Sequence, residues 1–234
     1  MSNKNVLARI VRTVDEATQK AAELYADNTM LRTFILSIPY LGGGIDMIIA
    51  TEGQKATKER IFKLIGEMKQ RMEQHEEVAI NKEYLASDEF IDLVIKAFDS
   101  AAKTRNEEKI RLYARILTES TVRDKQGTYF PEEYLNVLAG LTPKQVEVAW
   151  AMYAVQVEPR EEANPEGDEG WHHEKEQVCK KLNLDGTQLI FMLKGLVAAG
   201  LIAEIGRNKP GTIANEYHIT PAFKEMMNFL DSSK

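Results

Sequence analysis

Apolar residues recur three and four positions apart along most of this chain, and that spacing ties its first 200 residues to helices packed on helices. The first such stripe runs Leu7, Ile10, Val14, Ala17, Ala21 and Leu24. A second runs Ile61, Leu64, Ile65, Met68 and Met72, with "KQRMEQHEE" as its wet face. Ser87, followed by Asp88 and Glu89, places a cap and two acids where a helix start is partially positive, and predicts a buried face of Ile91, Val94, Ile95 and Phe98. Thr104-Arg-Asn-Glu107 has capping-box spacing and predicts a fourth helix with Ile110, Tyr113, Ala114 and Leu117 on one side. No alternating pattern of the kind a strand needs precedes residue 200. The spacing therefore predicts a helical bundle over 1–125, its sequential helices antiparallel neighbours.

Gly127 and Pro131 interrupt the periodicity and predict a joint over 126–140, with a short helix through Leu135 and Leu138. A second domain, 141–234, opens on "LTPKQVEVAWAMY", where Thr142 is the expected N-cap, Pro143 the first helical residue and Gln145 the third. The acidic run "VEPREEANPEGDEGWHH", 157–173, reads as a projecting loop. "EKEQVCKKLNL" predicts a short helix burying Val178, Cys179 and Leu182, then a turn at Asn183–Gly186. "TQLIFMLKGLVAAGLI" predicts a second helix, ending at Gly200. "LIAEIG" and "NEYHIT" alternate about a Gly206–Gly211 turn and pair as a hairpin. Thr220-Pro221 opens a last helix with Phe223, Met226, Met227 and Leu230. The expected fold class is mainly α: a helical bundle followed by a winged-helix domain, α with a small β-hairpin.

With 234 residues the chain has room for two cores, and 44% hydrophobic with 28% charged residues is a globular composition. The net charge of −6 excludes a global positive field that would gather nucleic acid or anionic lipid. One cysteine, Cys179, cannot form an internal disulfide, and the polar start lacks the apolar run of a secretory signal, so a cytoplasmic protein is expected.

The segment "RTFILSIPYLGGGIDMIIATEGQ", Arg32 to Gln54, is apolar but broken by Pro39, by Gly42, Gly43 and Gly44, and by Asp46. A simple transmembrane helix needs about 20 continuous apolar residues. Those five residues instead mark a corner, either the tight turn between two bundle helices or a mobile apolar hairpin that meets a membrane surface under a trigger. In the first case Asp46 stabilises the opening amides of the next helix.

No residue pattern carries catalysis. His172-His173-Glu174 approaches the zinc-binding His-Glu-x-x-His pattern, but Gln177 stands where the second histidine belongs, so no metal site is expected. The three glycines lack the Gly-Lys-Ser/Thr ending of a phosphate loop, and neither a Gly-x-Gly-x-x-Gly nor a Gly-x-Ser-x-Gly motif occurs. No cofactor and no small-molecule substrate follow. A winged helix raises DNA binding. However, residues 141–234 hold 10 Lys+Arg against 14 Asp+Glu, a net of −4, and the expected recognition helix Thr187–Ala199 has one cation, Lys194. Only Gln188, Lys194, Arg207 and Lys209 could meet DNA or a partner, and the negative charge disfavours DNA. A protein partner or a second copy of the chain is the expected ligand.

The blocks "SDEFIDLVIKAFDSAAKTRNEEKIRLYARILTEST", "YLNVLAGLTPKQVEVAWAMY" and "LVAAGLIAEI…YHITPAF" together resemble the bacterial Abi-alpha family, named for abortive-infection protein alpha, over residues 85–225. "SIPYLGGGIDMIIATEGQ" is similar to Pro/Gly-rich apolar segments of bacterial helical proteins that act at membranes. The resemblance implies a non-enzymatic interaction or effector protein of bacterial or prophage origin, tied to phage defence. The alternative is a winged-helix DNA-binding regulator.

Overall fold

The computed structural model describes residues 55–72, 74, 79–85, 87–157, 170–209 and 212–230. These are mainly helical, with a small two-stranded antiparallel sheet near the C-terminus. The chain divides into two compact units between Leu135 and Asn136. The helix expected from Leu7 and the corner at Pro39, Gly42–Gly44 and Asp46 lie outside the described residues.

In the first unit, α1 (Lys55–Met72), α3 (Asp88–Lys103) and α4 (Glu107–Ser120) pack on one another, with the single turn α2 (Lys82–Leu85) between. The α1 stripe is buried as spaced, with Ile61, Leu64, Ile65, Met68 and Met72 all in the core. Ser87 caps α3 by accepting from the Phe90 amide. The buried face of α3 is Phe90, Leu93, Val94, Ala97, Phe98 and Ala101, which corrects the expectation for Ile91 and Ile95. Ile95 is 47% exposed, because a neighbour of Val94 on a helix points about 100° away from it. The capping box expected at Thr104 is also corrected. Asn106 is the N-cap of α4 and accepts from the Lys109 amide at 2.8 Å, while Thr104 closes α3 and Glu107 pairs with Lys63.

Helix α5 (Pro131–Gly140) spans the division between the units and buries Leu135 and Leu138. The second unit is α6 (Pro143–Val157), α7 (Gly170–Leu182), α8 (Gly186–Ala198), β1 (Ile202–Lys209), β2 (Thr212–Ile219) and α9 (Pro221–Leu230). The box at the start of α6 is formed: the Gln145 amide donates to Thr142 Oγ1, and the Thr142 amide to Gln145 Oε1 at 2.8 Å.

Three expectations change here. Val157 belongs to α6 and residues 170–173 open α7, so both ends of the expected loop 157–173 are helical, and 158–169 lie outside the described residues. Trp171 sets that helix start, 7% exposed with its ring 5.3 Å from that of Tyr217. Gly206 lies inside β1 rather than at a turn, because pairing continues from Ile202↔Ile219 to Lys209↔Thr212. Cys179 and Leu182 are only half-buried, leaving Val178 as the anchor of that face.

Candidate partner-docking face

Helix α8 begins at a full capping box. Asp185 accepts from the Thr187 and Gln188 amides, and Gln188 Oε1 accepts from the Asp185 amide at 3.0 Å. Gln188, a candidate contact residue, is thus engaged in holding the helix start. Leu189, Leu193 and Leu196 form the buried stripe. At its far end the helix stops at Gly200, whose φ of +74° is the left-handed conformation glycine adopts freely. The middle of α8 lies against the start of α6. A Cβ built on Gly195 would stand 1.8 Å from Gln145 Nε2, so a larger residue there would displace the end of that capping side chain.

The outward face of α8 is unusual in its chemistry. Thr187, Ile190, Phe191, Lys194 and Ala198 are all exposed, and their spacing of three, four, seven and eleven places them in one stripe. Phe191 is 72% exposed and Ile190 38%. A phenyl ring left in water forgoes about 2 kcal/mol of burial; Phe130 is also exposed, at 64%, and what sets Phe191 apart is the exposed Ile190 beside it on the same stripe.

Lys194, the stripe's one charge, is held from the hairpin. Its Nζ lies 2.6 Å from both carboxylate oxygens of Glu204, and Tyr217 Oη donates to Glu204 Oε1 at 3.0 Å. The ammonium also sits 5.9 Å from the centre of the Tyr217 ring. The Glu204 hydrogen bond raises the pKa of Lys194 above the ordinary lysine value. Burial and Glu204 together raise that of the Tyr217 phenol. Both partners of the carboxylate therefore keep their protons throughout the neutral range. The result is an apolar stripe whose only cation is neutralised.

A second polar node fixes the hairpin to α6. Gln156 Nε2 donates to Glu174 Oε2 at 2.7 Å and to the Tyr217 carbonyl at 2.9 Å, and its Oε1 accepts from the Ile219 amide at 2.8 Å. One carboxamide thus meets a carbonyl and an amide two residues apart, as a neighbouring strand would.

Of the other candidate contacts, Arg207 and Lys209 stand in β1 opposite Ala214 and Thr212. His173 Nε2 lies 2.7 Å from Gln177 Nε2, so the residue at the expected second-ligand position partners the imidazole instead. Among the described residues no cluster of three or more His, Cys, Asp or Glu side chains could hold a metal ion. Burial raises the Cys179 thiol above its usual value, the opposite of what a reactive thiolate needs. Among the same residues no helix is long and apolar enough to cross a membrane.

Sequence reasoning passed over Phe191, Ile190, Glu204 and Gln156. The signal for Phe191 was present: it lies about 200° round the helix from Leu193, opposite the core stripe. Nothing local announced Glu204 or Gln156, whose partners are distant in sequence. No family model, no curated protein and no solved structure matches the chain.

Proposed function

We propose that residues 141–234 form a winged-helix module that docks a protein partner, within a non-enzymatic cytoplasmic interaction or effector protein. The supporting observation is the outward stripe of α8, where Phe191 is 72% exposed and the only cation is paired with Glu204. Nucleic-acid affinity comes chiefly from cations neutralising phosphates, and a stripe of this kind offers an apolar anchor instead. The resemblance of residues 85–225 to the Abi-alpha family is the ground for the biological setting proposed, a bacterial effector in phage defence. On that reading the apolar corner around Pro39 and Asp46 is the responding element, meeting a membrane surface when triggered.

The DNA-binding regulator is the second reading, favoured by the helix–turn–helix and hairpin order and by Arg207 and Lys209 in β1. The decisive experiment expresses the chain in bacteria with and without phage and scores growth and membrane potential. Growth arrest on infection, lost in Phe191→Ser while the purified variant keeps its helical circular dichroism, is the expected result. Absence of any effect of the wild-type chain on infected cells would sink the effector reading. Tight, salt-steep binding of random duplex that disappears in Arg207→Ala and Lys209→Ala would instead establish the regulator.

A further inference from the structure

We infer that Glu204 is the specificity-determining residue of the α8 face: by holding Lys194 in a two-oxygen ion pair, it engages the one cation that the helix itself carries and so disfavours phosphate there. The inference rests on the docking reading for what the face does accept, but its chemistry can be tested apart from any partner.

Lys194 is the only basic residue between Gly186 and Ala198 and falls one turn from Ile190 and Phe191. In a helix presented to a duplex, an unpaired lysine there could contact a phosphate. Both of its short contacts go to one carboxylate, which β1 brings in from ten residues away. That carboxylate is itself only 21% exposed and is held by Tyr217 Oη, so it cannot swing aside without breaking a second bond. A phosphate that takes the third N–H of Lys194 meets the Glu204 carboxylate on the same ammonium, and one that draws Lys194 away leaves that half-covered carboxylate unpaired beside it. Two like charges at that range oppose binding, where a free lysine would favour it. An apolar partner faces no such conflict, because it leaves the pair intact at the rim of its contact.

The test is a nuclear magnetic resonance titration of the ¹⁵N-labelled full chain with a short random-sequence DNA duplex at low salt. Wild-type protein should show no shift changes confined to the amides of 187–198, and the Lys194 ammonium signal should stay in place. Glu204→Gln preserves the size of the side chain and an acceptor for Tyr217. It should bring duplex-dependent shifts to those amides, with an apparent Kd at least about threefold lower than wild type, fading as salt is added. Adding Lys194→Gln to Glu204→Gln should abolish the gain, and Glu176→Gln, an equal change of net charge on exposed α7, should not produce it. The inference is overturned by a Glu204→Gln response equal to wild type, by a gain shared with Glu176→Gln, or by a gain that survives without Lys194. Movement of the wild-type ammonium signal on adding duplex overturns it independently of how the variant folds. None of these outcomes bears on Phe191, whose loss of effect in infected cells concerns the docking reading alone.

Discussion

Helices α4 and α8 invert each other. Glu107–Ser120 carries acids, lysine and hydroxyls, yet Lys109, Thr118, Glu119 and Ser120 are buried along with its apolar residues. Gly186–Ala198 is the more apolar sequence, yet buries only Leu189, Leu193 and Leu196 and turns Phe191 to solvent. In α4 three of the covered polar residues have near partners: Thr118 Oγ1 donates to the Ala114 carbonyl, Ser120 Oγ to that of Leu117, and Glu119 takes Lys125 at 2.6 Å. A buried polar residue with such partners is consistent with a structural element. An uncovered aromatic with a second exposed apolar residue beside it offers an apolar surface for contact. How apolar a helix is therefore does not indicate how deeply it lies.

Substitutions can break this contrast. Leu117→Ala, at a side chain with no exposed surface, should cost about 2–5 kcal/mol in denaturant unfolding, and a loss below about 1 kcal/mol would mean that α4 is less enclosed than it looks. Gln156→Ala comes next. It strips the Tyr217 carbonyl and Ile219 amide of their side-chain partner and should cost about 1–3 kcal/mol, with faster hydrogen exchange at residue 219 as the local signature. Phe191→Ser should be the mildest, within about 0.5 kcal/mol of wild type. A large destabilisation there would show the ring to be part of the core and remove the reason for a docking face.

What the sequence revealed and concealed follows from the range of each interaction. Ser87 and the Thr142–Gln145 box were legible because a cap bonds to amides two or three residues on, and their side chains have few other uses. Thr104 misleads because Asn106, two residues later, is also a capping residue type: the Asn106 side chain accepts from the Lys109 amide, while Thr104 Oγ1 accepts from the amide of Asn106 itself. The start of α7 was hidden because Trp171 gains its burial from Tyr217, on a strand not yet reached in the sequence. The central features of the candidate face were hidden for the same reason. The Lys194–Glu204 pair joins a helix to a strand, and periodicity within either element carries no trace of it.

The carboxamide of Gln156 has a bearing on solubility as well as on stability. A strand border with bare amides and carbonyls is a template onto which another chain can add itself, and a two-stranded ribbon has two such borders. Here one side chain occupies the bonding groups at 217 and 219, so a strand adding itself at that end of the border must first displace Gln156. Under conditions where Gln156→Ala is still fully folded, it should scatter light at concentrations that leave the wild-type chain clear.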